Sequence, residues 1–564
     1  MSNSQDYNLV PSEAEGKVSV LVVGAGPAGL ASAIQLKAIK PEVDVCVIEK
    51  SADLGNHTLS GAVLEAEPLH TLLDSAVPNW RDSDAAKDVL ASVIEKDDIM
   101  FLLGKKFAFN IFFAIELGKA FDLGFGQMIH KGDYSVSISK LTKWMGQIAK
   151  DLGAEVLTGF AAEDIVLNGD SDKAIGVKLV DQGLDKEGNK QPNYVEGEII
   201  KADFIVLAEG CDGLVTEKFI EKVRLQRQSP QLYSVGVKEL IKVSSEQYNK
   251  FTASRVVHAM GYPIWMPVIG PGMFGGGIIY AGVQEHLSVG MIVGADWKYY
   301  DFNPQDALAL FKQHRFVKQF IDGGEVVEAG AKMIPEGGYY AIPRDPATGS
   351  IGKANVMILG DSAGFVNMLK IKGLHNAIAS GMQAAKAIAE TLDEPEKAAA
   401  KYTEMVEQSN IMEELRLARN FRQTVANFGP LQGMPLSVFG ELLPKFKVEK
   451  DYEAMTIARY RLKRNHEFDK DTFTAVAATE HREDQPSHLT ILDRTICETK
   501  CTPMFNSPCI TFCPAGVYET IHDEVKPANP SNCLHCKTCQ RKCPFDNIRW
   551  TVPEGTGGPR YKRM

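Results

Sequence analysis

The sequence predicts an α/β dinucleotide-binding fold that carries a β-rich insertion and ends in a small cysteine-rich α+β module. Three observations predict it: a strand-helix-strand unit with a glycine-rich turn near the N-terminus, a β-rich stretch in the middle of the chain, and eight of ten cysteines gathered between Cys497 and Cys543. A length of 564 residues gives room for two to four domains. With 45% hydrophobic and 24% charged residues the composition is globular, and the net charge of −11 argues against nucleic acid as a partner.

Residues 18–23 (VSVLVV) form an unbroken apolar run, the pattern of a parallel strand buried on both faces. Gly24-Ala25-Gly26-Pro27-Ala28-Gly29 follows, then a helical pattern to about Lys40 and a second strand, DVCVIE, ending at Glu49. In this G-x-G-x-x-G, Gly24 permits the tight turn, Gly26 lets backbone N–H groups approach a pyrophosphate, and Gly29 lets helix and strand pack closely. Glu49, twenty residues on, is placed to accept hydrogen bonds from the adenosine ribose. Two later strand-turns resemble flavoprotein supports: Ala202 to Gly213, and Gly360-Asp361 after the apolar VMIL. The helix starting near Gly373, with His375 and Asn376 in its first turn, would aim its N-terminal N–H groups at a flavin ring. A second complete G-x-G-x-x-G for a nicotinamide cofactor is absent, so FAD is the expected cofactor.

Between about 230 and 340, SVGVKELIKV, GGGIIYAG and LSVGMIVGA read as strands of a second sheet. Helical patterns fill about 395–480, HREDQPSHL (481–489) reads as a linker, and cysteine, proline and short polar segments follow. The expected domains are 17–230 with 340–400, 231–339, 401–484 and 485–564. The N-terminal residues lack a secretory or organelle leader pattern, which points to a reducing compartment where clustered cysteines are metal ligands. No segment reads as a spanning helix. Three apolar stretches, 58–80, 100–126 and 423–440, together with the basic ARYRLKR at 458–464, suit an interfacial attachment to anionic lipid.

Cys533-x2-Cys536-x2-Cys539-x3-Cys543-Pro544 has the ligand run of bacterial-type ferredoxins, in which the fourth cysteine serves the other cluster. Upstream, Cys497-x3-Cys501-x7-Cys509-x3-Cys513-Pro514 also closes on Cys-Pro. If the halves exchange last ligands, one cluster takes Cys513, Cys533, Cys536 and Cys539. A second, 4Fe-4S or 3Fe-4S, takes Cys543 with Cys509, Cys501 and Cys497. Zinc does not suit this spacing.

GNHTLSGAV (55–63), KGLHNAIASG (372–381), FCPAGVYE (512–519), NCLHCKTC (532–539) and WTVPEGTGGPRY (550–561) resemble, in the same order, segments of the electron transfer flavoprotein-ubiquinone oxidoreductase family. The resemblance covers nearly the whole chain. It implies an FAD-binding Rossmann-like domain of the glutathione-reductase/hydroxylase type, an inserted β-rich quinone-binding domain and a C-terminal ferredoxin-like iron-sulfur domain. It implies electron transfer flavoprotein, membrane quinone and the bilayer surface as partners, and a single 4Fe-4S cluster on Cys513, Cys533, Cys536 and Cys539. Ser60 and Gly61 would join the flavin site, and Gly275 and Gly276 would let the quinone ring approach the backbone. The place implied is the inner membrane, on the cytoplasmic face in a bacterium or the matrix face in a mitochondrion. Stretches 58–80 and 423–440 correspond to the family's membrane-contacting parts. Cys497, Cys501, Cys509 and Cys543 are extra to the family pattern, 261–273 is more apolar than expected, and Ser137 stands where an arginine is expected. No acid-base pair is identifiable, and His375 is not expected to be catalytic. A prenyl-lipid (geranylgeranyl-type) reductase and an electron-relay subunit of a larger complex are the competing readings.

Overall fold

The computed structural model describes residues 17–59, 61, 63–121, 127–169, 171–266, 272–462 and 469–564. Ser60 lies outside the described residues, as do parts of the apolar stretches, of 261–273 and of the basic 458–464 segment.

The apolar Lys17–Val23 strand lies in the middle of an eight-stranded sheet, parallel to Val45–Glu49 on one side and Ile199–Leu207 on the other. Val356–Ile358 and Glu155–Thr158 extend the parallel core at its two ends. Helix Pro27–Ile39 is composed of small residues and is buried over most of its length. It packs against helix Leu374–Glu390 so closely that a Cβ on Gly381 would fall on the Ala28 carbonyl oxygen.

The second sheet has seven strands in the order Glu325–Pro335, Tyr233–Lys242, His286–Gly294, Gly275–Val283, Arg255–Gly261, Lys96–Leu103, Phe107–Asn110. The last two come from within the span expected to belong wholly to the first domain, so the chain visits the second sheet early. Parallel pairing of Lys96–Leu103 with Arg255–Gly261 hides that assignment from local patterning. One face of the sheet is covered by Pro304–Gln313, whose Phe311 ring occupies the space a Cβ on Gly277 would need. The opposite face looks towards the first domain.

Among the described residues no helix is long and apolar enough to cross a membrane. The stretch 58–80 departs from its expected interfacial role: Leu69, Leu72, Leu73 and Trp80 are buried in the first core. The apolar content there serves packing of helix Ala66–Ala76. The stretch from Leu103 to Phe121 does the opposite. Its Phe107, Phe113 and Phe121 are 63%, 69% and 69% exposed, with Phe109 and Leu117 exposed beside them. Further along, Phe428, Phe439 and Leu442 are exposed around the helix Phe421–Leu436, which is broken at Gly429.

The C-terminal module is built from two short hairpin-like sheets and short helices. Leu489–Ile491 pairs with Ile548–Trp550, and Tyr518–Ile521 with Glu524–Pro527. Segment 481–489 is not an open linker. His481 hydrogen-bonds the Ser531 carbonyl at 2.8 Å and the His535 ring at 2.8 Å, and Arg482 pairs with Glu554.

Candidate redox site

A cavity of about 350 Å³ opens between the two sheets. The first sheet contributes the ends of its parallel strands: Gly24 to Ala28, Glu49 to Ser51 and Ala208 to Cys211. This is the crevice at the carboxyl ends of the strands, where open α/β sheets take their ligands. The second sheet contributes alternate residues of neighbouring strands, Gly236 and Lys238, Gly290 and Ile292, Lys332 and Ile334. Their period of two places them on one face.

The three glycines of the turn have different surroundings. Gly24 has φ +103°, and a Cβ there would fall on the Ala208 carbonyl. A Cβ on Gly29 would strike the Gly24 carbonyl and the Val22 side chain. Gly26 faces open space, and its helix start has no side-chain cap, so the first N–H groups of Pro27–Ile39 remain available to an anion. Glu49 accepts from the N–H groups of Ala25, at 3.1 Å, and Ser51, at 2.9 Å, which fixes its carboxylate at the cavity edge.

Asp361 lines the cavity, and loss of hydration raises its carboxyl to about 6, partly offset by Lys332. Five lysines line the same space: Lys238 donates to the Tyr280 hydroxyl and Lys372 pairs with Asp133, and the other three are Lys50, Lys332 and Lys537. Burial, with the charges of Lys537 and Lys332, pulls Lys50 down to about 7. Burial and Lys537 likewise lower Lys332. Three ammonium groups crowded around an open cavity, together with an uncapped helix start, fit an anionic dinucleotide. Neither Lys332 nor Lys537 carries a local signal in the sequence that marks it as a site residue, because the second sheet and the cysteine module bring them in from far along the chain.

Gly61, Gly373 and Gly360 stand at or beside the cavity, Gly61 and Gly373 in its lining and Gly360 with φ +54° next to Asp361. At His375 and Asn376 the helix start offers backbone N–H groups to the cavity rather than side chains. Their side chains turn away and bind the Glu414 carboxylate, His375 at 2.9 Å and Asn376 at 2.5 Å, while Gly373, Leu374 and Ala377 reach the cavity. Burial by itself raises Glu414, but the His375 hydrogen bond and the charges of His375 and Lys370 outweigh it and hold the carboxyl at about 2. Ser137 sits between the cavity residues Val136 and Ile138 and caps its own helix by accepting from the Lys140 N–H at 3.3 Å.

Gly275 and Gly276 do not line this cavity. A Cβ on Gly275 would fall on the Ile292 carbonyl and one on Gly276 on the Ala259 carbonyl, so strand packing accounts for both. Immediately before them, Phe274 packs edge-on against Phe421 at 6.2 Å, in an apolar cluster with Leu369 and Val425. Met368 belongs to that cluster and also to the cavity wall.

No disulfide links any of the ten cysteines. Cys533, Cys536 and Cys539 are buried and Cys513 is half-buried. The helices that lead into Cys513 and Cys543, Pro508–Phe512 and Thr538–Lys542, pack against each other, and burial raises the Cys539 thiol, with the charges of Cys533, Cys536 and Cys513 adding to it. Burial, then the neighbouring Cys536, pushes the Cys533 thiol up to about 12. Four such buried thiols can ionise together only against a cationic group, which iron supplies. No three of these sulfurs lie within 4.8 Å of one another among the described residues. A tetrahedral zinc, with Zn–S near 2.3 Å, would hold its sulfurs at about 3.8 Å, whereas an iron-sulfur cubane spreads them.

The ligand loop is part of the cavity wall. His535 and Lys537, between the cysteines, and Trp550 just beyond them line the same space as Gly24 and Asp361. Arg541 of this module is paired with the buried Asp212 of the first domain, its Nε at 3.0 Å from Oδ2.

Fold and site together define a flavin-type two-sheet oxidoreductase whose flavin cavity is closed by a ferredoxin-type module. Solved structures share the fold: a geranylgeranyl bacteriochlorophyll reductase-like protein from Thermoplasma acidophilum, 16% identical, with a TM-score of 0.54 over 77% of this chain and 93% of that one, and a flavin-dependent halogenase, 15% identical, with 0.50 over 82% and 70%. Three family models match: an NAD(P)-binding Rossmann-like domain over 22–93, an ETF-QO ubiquinone-binding domain over 233–334, and the 4Fe-4S domain of electron transfer flavoprotein-ubiquinone oxidoreductase over 465–562. The chain is 36% identical to the mitochondrial electron transfer flavoprotein-ubiquinone oxidoreductase of Arabidopsis thaliana, over 97% of this chain and 84% of that protein. It is 33% identical to the electron transfer flavoprotein-ubiquinone oxidoreductase of Pseudomonas aeruginosa, over 97% and 98%. The chain belongs to the electron transfer flavoprotein-ubiquinone oxidoreductase family.

Proposed function

We propose that this chain oxidises a reduced electron transfer flavoprotein and delivers the electrons to a quinone at a membrane surface. The observation that carries this reading is the shared wall: the loop holding Cys533, Cys536 and Cys539 also bounds the cavity that fits FAD. FAD supplies two-electron storage and the 4Fe-4S cluster one-electron exchange with a protein donor. Chain residues do the remaining work. Gly26 and the uncapped helix start would receive the pyrophosphate, Glu49 the ribose and Asp361 a hydroxyl of the ribityl chain, and Lys50, Lys332 and Lys537 would balance the negative charge. The N-terminus of Leu374–Glu390, which reaches the cavity through Gly373 and Leu374, would favour negative charge on a group bound there. Met368, Phe274, Leu369, Phe421 and Val425 form an apolar path from the cavity, along which we place the quinone, with the backbone of Gly275 and Gly276 at its edge.

The exposed side chains of 107–121 and of 428–442 support interfacial attachment without spanning. Lys105, Lys106 and Lys119 flank the first group and suit anionic headgroups. Embedding one phenylalanine is worth about 1.5–3 kcal/mol, so Phe113→Glu with Leu117→Glu lowers binding to anionic phospholipid vesicles at least tenfold in a flotation assay. Reduction of a water-soluble short-chain quinone persists in that variant, and unchanged flotation overturns the attachment. The function itself is tested by supplying reduced electron transfer flavoprotein and a short-chain quinone to the purified holoprotein. Quinone reduction is expected. Turnover of a prenyl lipid without quinone reduction, or activity only inside a larger complex, overturns the reading.

A further inference from the structure

Four cysteines remain outside the site described above, and the fold gathers them at one place. The module is a twofold repeat. Pro508–Phe512 closes its first half and Thr538–Lys542 its second, each a five-residue helix that ends at a Cys-Pro. In the first, the Cys513 N–H donates to the Cys509 carbonyl at 3.2 Å, and in the second the Cys543 N–H donates to the Cys539 carbonyl at 3.1 Å. Four residues on, Val517 N–H donates to the Cys513 sulfur and Asn547 N–H to the Cys543 sulfur, both at 3.4 Å. The same backbone therefore presents Cys513 and Cys543 in equivalent ways.

Cys513 goes to the set beside the cavity, and Cys543 goes to the opposite one. Asn547 binds the Cys543 sulfur through its N–H and the Cys497 sulfur through Nδ2, each at 3.4 Å, so those two sulfurs share one neighbour. A helical turn over Cys497–Cys501 puts Cys501 next to Cys497. Burial raises the Cys509 thiol, and after it the charges of Cys501, Cys543, Cys497 and Cys513 act on it, the first three of them from this group. Cys501, Cys509 and Cys543 are buried, with Phe505 and Phe545 packed against each other at 6.1 Å beside them. No disulfide links them, and no three of the sulfurs come within the 4.8 Å that a single metal ion would require.

We infer that Cys497, Cys501, Cys509 and Cys543 hold a second iron-sulfur cluster, of the 4Fe-4S type, on the outer side of the module. Four thiols at one place, held as the mirror of the ligand set beside the cavity, supply one ligand for each iron of a cubane. The spacing alone leaves 3Fe-4S open, because Cys501, Cys509 and Cys543 suffice for three irons, but Cys497 completes the set through Asn547. None of these cysteines lines the flavin cavity, while the segment from Leu492 to Met504 that carries two of them is largely exposed. The site thus lies between the inner cluster and the solvent, on the side open to a protein donor.

Iron, acid-labile sulfide and FAD are measured on holoprotein purified and reconstituted anaerobically with iron and sulfide. About eight irons per FAD are expected. Cys509→Ala, and independently Cys543→Ala, lowers this to about four and removes one of two reduced-state paramagnetic signals. About four irons in the unaltered protein, or signals unchanged in both variants, overturns the inference. This inference rests on the family's iron-sulfur reading but not on its substrates: eight irons without quinone reduction upholds the second cluster and overturns the function proposed above.

Discussion

Lys50 faces the cavity with Lys332 and Lys537 nearby, and its ammonium group is the one most altered by the open site. In the flavin-free chain burial and the neighbouring cations bring it to about 7. The unfolded chain holds that proton up to the ordinary lysine value near 10.4. Between these limits the unfolded state binds more protons, so stability of the flavin-free chain rises with pH from about 7 to about 10 through this residue. An anionic dinucleotide restores the proton. Binding at pH 8.5 is therefore expected to take up close to one proton, read by calorimetry in buffers of different ionisation enthalpy, and flavin affinity falls as pH climbs above 7. Lys50→Met abolishes the uptake, and uptake that survives this change places the titrating group elsewhere. Lys50 follows Glu49 directly and was within reach of the sequence, since it borders the acid of the dinucleotide motif. Lys332 was not: nothing around it distinguishes a strand lysine that points into a cavity from one that points into water.

At the scale of elements, the turn from Lys17–Val23 into Pro27–Ile39 separates folding from binding between two glycines. Gly24→Ala places a Cβ at φ +103° on the Ala208 carbonyl, a change expected to cost about 2–4 kcal/mol and to lower the thermal midpoint even without flavin. Gly26→Ala meets nothing in the flavin-free chain but fills the space over the helix start. Its flavin-free melting is expected to stay near that of the unaltered chain while FAD affinity falls more than tenfold, measured by fluorescence titration. Equal loss of stability in both variants contradicts this division. The motif was legible because its requirements are local: strand, turn, helix and Glu49 all fall within one short stretch. The cysteine module was legible as an iron-sulfur domain for a related reason, as its cysteine spacing is local. Exposure was harder to read. The stretches 58–80 and 100–126 are equally apolar to the eye, yet the first is covered by the core and the second keeps Phe107, Phe113 and Phe121 in the open. Which element covers which is a property of the assembled sheets. The turning of His375 towards Glu414 is of that kind too, since its partner comes from a separate helix.

At the scale of the whole molecule, the cysteine module is tied to both sheet domains at many points, with the Met564 carbonyl accepting from Ser137 and Ser139, the Thr556 N–H donating to the Lys50 carbonyl and Glu554 accepting from the Gly183 N–H among them. Arg541 pairs with Asp212, Lys537 donates to the Asp212 carbonyl, and Lys542 donates to the Trp297 and Asp451 carbonyls. Asp212 is fully buried on its side chain, so removing it leaves a guanidinium without its counter-charge. Asp212→Ala is expected to destabilise the docked module by about 3 kcal/mol. In the variant, electron flow from reduced electron transfer flavoprotein to quinone is expected to slow more than tenfold, with iron content retained after anaerobic purification. A rate equal to the unaltered protein's shows that the pair is dispensable for alignment. The early visit of the chain to the second sheet, through Lys96–Leu103 and Phe107–Asn110, escaped the sequence because a parallel pairing between strands so far apart leaves no local trace.

The wall that His535, Lys537 and Trp550 contribute has a consequence for biogenesis. A loop anchored to a cluster by its cysteines loses that anchor with the iron, so flavin retention is expected to depend on cluster assembly. A cell short of iron-sulfur assembly capacity would accumulate this protein not merely without its cluster but also leaking its flavin. The yellow colour of a preparation then becomes a report on the completeness of its metal centre.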